Sequence, residues 1–189
     1  MESIRELLDD RSLERVDLSD RIPTAVALVL APDAEDALCV LLIKRTSRSD
    51  DPWSGHMALP GGRMEEGDRD LLVTAIRETN EETRIGLEES HLLGELADYE
   101  PGNPLLPPVV IRPYVFGMTD RPEVDEHPDE VDNHFWVPLH DLAPRRTSRV
   151  IEARGHTLEA HGFPVGPHFV WGITERILTP FLHLIGHMD

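Results

Sequence analysis

The stretch Ala75–Leu87, AIRETNEETRIGL, places Glu78, Glu81 and Glu82 within five positions. No glycine or proline interrupts the run from Ile76 to Ile85, so the spacing predicts a helix. At i, i+3 and i+4 the three acids then share one helix face. Like charges at this spacing cost an isolated helix only about 0.2–0.5 kcal/mol per pair, so a solvated acidic face is one reading. Three neighbouring features favour another. Arg77 and Arg84 flank the acids and can hold their carboxylates in place. The stretch Pro60-Gly61-Gly62 feeds the helix, and backbone without Cβ atoms can approach a ligand closely. Several carboxylates on one rigid face, with a loop carbonyl, make a hard-oxygen donor set. That set suits Mg²⁺ or Mn²⁺, with waters and substrate phosphates completing the shell.

Working outward, Leu71, Leu72, Ala75, Ile76 and Thr79 form a mostly apolar stripe at helical spacing. The helix is expected near Arg69–Arg84, with Asp68 as its N-cap. Upstream, the aliphatic runs Thr24–Leu30 and Leu38–Arg45 flank APDAEDA, a turn-forming stretch, and predict a hairpin. Residues 46–56 read as a polar loop, and Met57–Leu59 as a short strand ending at Pro60-Gly61-Gly62. Downstream, Leu92–Tyr99 and Val109–Met118 read as strands around a proline-rich loop. An acidic loop, 119–133, precedes a short strand His134–Val137 and a helical turn PLHDL. Residues 144–168 show no clear pattern, and the following HFVWGITERIL reads as an amphipathic helix to about Thr179, with Pro180 kinking or ending it. A further helix is expected over residues 2–9, extending at most to 15. The class is α+β, without the regular alternation of a doubly wound sheet.

The 189 residues are enough for one domain with a sizeable core. The formal charge is −18, and Lys44 is the one lysine. Non-specific contact with nucleic-acid backbones is therefore disfavoured, and an anionic substrate must be met by local arginines or a bound cation. Cys39 is the single cysteine, so no intrachain disulfide forms, and its apolar surroundings make it a small core residue. No apolar run reaches the roughly 18 residues of a membrane span. The acidic, amphipathic N-terminus lacks the pattern of a signal peptide, so a cytoplasmic protein is expected. The sequence leaves the oligomeric state open, a homodimer included.

These residues resemble the Nudix hydrolases, whose box is written G-x5-E-x7-R-E-U-x-E-E-x-G-U, with U a bulky aliphatic residue. The second half matches as Arg77-Glu78-Thr79-Asn80-Glu81-Glu82-Thr83-Arg84-Ile85. Thr79 replaces the aliphatic residue, and Arg84 stands at the closing glycine, with Gly86 two residues later. The first half is out of frame: counting back from Arg77 puts Arg69 at the glutamate and Arg63 at the glycine. Counting forward from Gly62 reaches Asp68, with eight residues before Arg77. A longer loop with Asp for Glu resembles the branch that cleaves coenzyme A. That branch carries L-L-T-x-R-[SA]-x3-R-x3-G-x3-F-P-G-G upstream. Leu41–Thr46 matches its start loosely, and Gly55 with Leu59-Pro60-Gly61-Gly62 matches its end. The resemblance spans about residues 22–140, with HFVWGITERIL resembling the branch's C-terminal helix.

The resemblance implies an α/β/α sandwich with a mixed sheet, the N- and C-terminal helices packed on one domain spanning 1–189. It implies metal-dependent hydrolysis of a pyrophosphate in a nucleoside diphosphate derivative, giving 3′,5′-ADP and 4′-phosphopantetheine if the substrate is coenzyme A or a thioester. Other nucleotides, such as ADP-ribose or a nucleoside triphosphate, stay open. So does a Nudix-like module that senses a nucleotide without cutting it, although the intact glutamates speak against this. Glu78 and Glu82 are the implied metal ligands, with Glu81 close by and a carbonyl from Gly61 or Gly62. Arg77 orients the glutamates. The general base comes from the box glutamates, Glu81 among them, or from the acidic loop, Glu130 first and Glu126 second. Arg45 and Arg48 are candidates for a substrate phosphate, such as the 3′-phosphate of coenzyme A. Trp53 is the candidate for stacking on adenine, while Phe116 and Trp171 read as core, and His56 as a hydrogen-bonding neighbour of the site.

Overall fold

The computed structural model describes residues 1–9, 11–47, 53–102, 106–153 and 155–188. Its main sheet has seven strands. Strand β1 (Ile22–Pro32) pairs with β2 (Leu38–Arg45) as the expected antiparallel hairpin, Leu30 opposite Val40. On its other edge β1 runs parallel to β6 (Val109–Gly117), Thr24 opposite Ile111. That parallel pair makes the sheet mixed. Strand β5 (Leu92–Glu95) flanks β6, and β7 (Val131–Pro138) flanks β2.

Between β1 and β2 the sheet forks. Strand β3 (Met57–Ala58) stays with β2, at Ile43 and Lys44. Strand β4 (Gly61–Arg63) crosses to β1, at Thr24–Val26. The turn between them, Leu59-Pro60, is tied to β1 by the Ala27 amide donating to the Pro60 carbonyl at 2.8 Å. Gly61 and Gly62, expected in a loop after a strand, are therefore strand residues themselves. Their contacts explain the glycines. At Gly61, with φ of +151°, a Cβ would stand 2.2 Å from the Ala25 carbonyl oxygen.

Alternation along β1 sorts the core into two layers. Ala25, Ala27 and Val29 face helix α2 (Leu71–Thr83), with Leu71 and Ala75 packed against them. Two alanines on the strand let the helix approach closely. Leu28 and Leu30 face the opposite side, where α1 (Glu2–Asp9) and α4 (Ile173–Leu184) contribute Ile4, Leu8, Ile177 and Phe181. The expected sandwich of helices around a mixed sheet is what forms.

Several boundaries differ from expectation. The N-cap of α2 is Asp70, whose side chain accepts from the Val73 amide at 3.0 Å; Asp68 is drawn elsewhere. The exit is at Thr83, where Arg84 adopts the left-handed conformation, φ +59°, that a glycine would take. Strand β5 stops at Glu95, and Tyr99 keeps only an isolated bridge to Ile111. The PLHDL turn grows into α3 (Leu139–Arg145). The unpatterned region 144–168 contains β8 (Thr147–Ala153) and β9 (His156–Val165), which join β10 (His168–Trp171) in a second, three-stranded sheet. The expected C-terminal helix thus begins as a strand, turns at Gly172, and continues as α4 through Pro180 to Leu184. Proline inside a helix costs about 3 kcal/mol. Burial of Ile177, Leu178, Phe181 and Leu182 offsets it, at roughly 1.5–3 kcal/mol for each large apolar side chain.

Candidate active site

The fork opens a cavity of about 460 Å³. Glu78 and Glu82 reach it from α2, and Glu130 from the residue before β7. Arg45, Trp53 and His56 also line it, as do Gly61 and Gly62. The opposite wall is mostly apolar and comes from β6, β10 and α4. Trp171 stacks at a tilt on His56, ring centroids 4.6 Å apart, and Thr174 donates to the Met57 carbonyl at 3.1 Å.

Glu82 is almost completely enclosed, 2% exposed. The Gly61 amide donates to one carboxylate oxygen at 2.8 Å, and Arg45 lies 3.4 Å from the other. Burial pushes its pKa up to about 8, against the pull of these two partners, and the charges of Glu78 and Glu130 add to the rise. Burial likewise raises Glu78, opposed by Arg77, with Glu81 and Glu130 adding repulsion. The bare face of Gly62 makes room for Glu78: a Cβ there would fall 2.3 Å from the Glu78 carboxyl carbon and displace that side chain. The structure therefore holds three mutually repelling carboxylates at one opening.

Arg77 does not line the cavity but braces it. Its guanidinium donates to both oxygens of Asp68 at 3.0 and 2.9 Å, to Glu78 at 3.0 Å, to Glu81 at 3.0 Å and to the Arg63 carbonyl at 3.0 Å. Those hydrogen bonds hold Asp68 well below the usual carboxylate range and Arg77 well above its own. Asp68 also accepts from the Thr74 hydroxyl at 2.9 Å. Out of frame in sequence, Asp68 still closes the loop onto the helix. Glu81, 50% exposed at its side chain, points to Arg77 and is not brought into the cavity.

The loop bearing Glu130 is stitched to the end of α2. The amides of Asp125 and His127 donate to the carbonyls of Thr83 and Glu82, at 3.1 and 3.0 Å, using acceptors a helix terminus leaves open. On its other side Thr46 donates from its amide to the Glu130 carbonyl at 3.0 Å and from its hydroxyl to the Asp129 carbonyl at 2.9 Å. A bulge follows: Lys44 pairs with Asn133 but Arg45 with Val131, leaving Asp132 unmatched. Bulges of this kind re-aim neighbouring side chains. Glu126, the second candidate, instead meets the His134 ring at 2.5 Å, outside the cavity lining. Phe116 is fully buried. Trp171, read from sequence as core, faces the cavity. Arg48 lies outside the described residues.

Among the described residues, no three His, Cys, Asp or Glu side chains are grouped closely enough to cage an ion alone. Mg²⁺ sites rarely need that. One or two carboxylates suffice when waters and substrate phosphates supply the rest. Glu78 and Glu82 are hard oxygen donors whose mutual repulsion a divalent cation relieves, so the donor set fits such an ion.

The NUDIX domain family matches residues 20–155, and the chain belongs to that family. Human mitochondrial coenzyme A diphosphatase NUDT8 is 32% identical over 173 residues, covering 87% of this chain and 71% of that protein. Among solved structures, a MutT/nudix family protein from Enterococcus faecalis superposes with a TM-score of 0.65 at 19% identity, over 94% of this chain and 66% of that one. The NUDIX domain of Shewanella oneidensis NrtR, complexed with ADP ribose, gives 0.53 at 24% identity, over 64% and 75%. Both structures support the fold. The chain is a Nudix pyrophosphohydrolase, and none of its helices is long and apolar enough to cross a membrane among the described residues.

Proposed function

We propose that this pyrophosphohydrolase cleaves coenzyme A or its thioesters with the help of Mg²⁺ or Mn²⁺, releasing 3′,5′-ADP and 4′-phosphopantetheine or, from a thioester, its S-acyl form. The observation carrying the chemistry is the convergence of Glu78, Glu82 and Glu130 on one cavity, with Glu82 enclosed. Support for the substrate comes from the 32% identity with a coenzyme A diphosphatase over most of both chains.

Glu78 and Glu82 would hold the ion, with the strand backbone at Gly62 beside them and Glu81 adding negative charge at the rim. A bound divalent ion neutralises pyrophosphate charge and lowers the pKa of water. The protein's own groups do the rest. Glu130 takes the proton of the attacking water. The water oxygen forms a new bond to one phosphorus, the bridging P–O bond breaks, and the other phosphate leaves with the bridging oxygen. Arg77 acts through Glu78 and Glu81, fixing their carboxylates. Arg45, beside Glu82, meets the pyrophosphate oxygens, and Arg48 is assigned to the same charge. Trp53 stacks on the adenine.

A panel of coenzyme A, ADP-ribose and nucleoside triphosphates with each metal, products separated by chromatography, tests this reading. Appearance of 3′,5′-ADP from coenzyme A is expected. Turnover of ADP-ribose alone would overturn the substrate, and tight binding without turnover would favour a sensing module.

A further inference from the structure

Arg63 was a mismatch in the sequence frame, standing where the box has its first glycine. The fold gives it a place. It is the last residue of β4, opposite Thr24 of β1, which in turn lies beside Ile111 of β6. All three line the active-site cavity. Strand alternation separates its side chain from that of Gly62, whose bare face meets Glu78. Its backbone is fixed twice, by the pairing with Thr24 and by Arg77 donating to its carbonyl at 3.0 Å. The side chain itself is exposed.

The chain carries 36 acidic residues against 18 basic ones, and the other described arginines around the site are engaged by carboxylates. Arg45 faces Glu82, and Arg77 is held by Asp68, Glu78 and Glu81. Among the described residues the Arg63 guanidinium has no hydrogen-bond or ion-pair partner. An arginine on a fixed strand, left without a carboxylate at the rim of an acidic cavity, is poised for an anion that arrives with the substrate. That anion is not the one at the glutamates. Arg63 is two residues along the strand from Gly61, which contacts Glu82, a displacement of about 7 Å at strand rise.

We infer that Arg63 binds a phosphate monoester of the substrate, separate from its pyrophosphate, and sets the preference for nucleotides that carry one. Resting on the coenzyme A reading above, the group is the 3′-phosphate, one ribose away from the bond that breaks. ADP-ribose carries no such group. The 3′-phosphate therefore belongs to Arg63 rather than to Arg45, which sits among the carboxylates.

The test compares kcat/KM on coenzyme A and on dephospho-coenzyme A, which lacks only the 3′-phosphate, for the wild type and for Arg63→Gln and Arg63→Lys. The wild type should prefer coenzyme A. In Arg63→Gln the ratio of the two kcat/KM values should fall about tenfold to a hundredfold, the scale of a charge-assisted contact, and mainly through KM. Arg63→Lys should restore part of the preference. Equal losses on both substrates, or an unchanged ratio, would overturn the assignment. So would a wild type that cleaves both equally well, which leaves the coenzyme A reading intact. A wild type that cleaves neither overturns that reading and this assignment together.

Discussion

The cavity has two unlike walls. One is ionic, built by α2, the end of β2 and the residue before β7, and it concentrates Glu78, Glu82, Glu130 and Arg45. The other is apolar, built by β6, β10 and α4, with Trp171, Ile173 and Ile177. Glu82 is buried without losing its partners, because a strand amide and an arginine are aimed at it. The apolar wall offers the charges facing it a surface of low polarity, against which electrostatic interactions are stronger than in bulk water. The contrast separates what makes the bond break from what gathers the substrate, and variants on the two walls should affect different kinetic constants.

The largest effects belong to the ionic wall. Glu82→Gln should lower kcat by about 10²–10³-fold or more, the scale of removing one preorganised electrostatic contact, while the protein stays folded by circular dichroism. Glu130→Gln should cost about 10²–10⁴-fold as loss of a general base. Near-normal turnover in either would mean the ionic wall is misassigned. Trp53, which lines the cavity outside the ionic cluster, tests the gathering of substrate: Trp53→Ala should raise KM by about tenfold, as expected for one lost base stack, with kcat nearly kept. A fall in kcat equal to that of Glu82→Gln would erase the distinction between bond breaking and substrate gathering.

Glu82 also makes stability depend on pH. Its pKa is higher in the folded chain than in the unfolded one, so the folded state takes up the extra proton. The resulting stability is full below the unfolded pKa of about 4.3 and is lost as pH rises through about 8. In metal-free buffer the melting temperature of the wild type, measured against Glu82→Gln, should therefore decline from pH 5 towards pH 8, values set by those two pKa figures. Added Mn²⁺ should flatten the decline by favouring the carboxylate. A difference that stays flat without metal would contradict the burial of a carboxylate at this position.

The smallest effect lies away from both walls, at the helix exit. Arg84 holds φ +59° without being a glycine. Arg84→Gly should stabilise the fold by about 1 kcal/mol, relieving a left-handed backbone, with kcat unaltered. Chemical denaturation reads the gain, and a loss of stability would mean the Arg84 side chain contributes more than its backbone costs.

The ionic wall was largely legible because its helix is contiguous. Glu78 and Glu82 stand four apart, and helical periodicity alone puts them on one face. The hairpin of β1 and β2 was equally local. What failed to show was anything decided at a distance. Asp68 and Asp70 stand two residues apart, and Arg77, nine residues beyond Asp68, together with Thr74 draws Asp68 away from the cap. Gly61 and Gly62 read as loop because strand pairing with Ala25 and Val26 leaves no local trace. Strands β8 and β9 are polar and exposed on much of their surface, so no hydrophobic alternation announced them. Pro180 pointed to a helix end, but apolar residues on both sides of it, Ile177 and Phe181, kept the helix going. Glu130 ranked ahead of Glu126 in the acidic loop, but its place at the cavity, set by Thr46 and the bulge at Asp132, depends on contacts distant in sequence.

The most direct measurement is the rate at which 3′,5′-ADP appears from coenzyme A, in Mn²⁺ and in EDTA, for the wild type and Glu82→Gln. Release by the wild type with Mn²⁺, its disappearance with EDTA, and its collapse in Glu82→Gln are expected together. Release that survives chelation, or that Glu82→Gln matches, would contradict a carboxylate-held metal at the fork of the sheet.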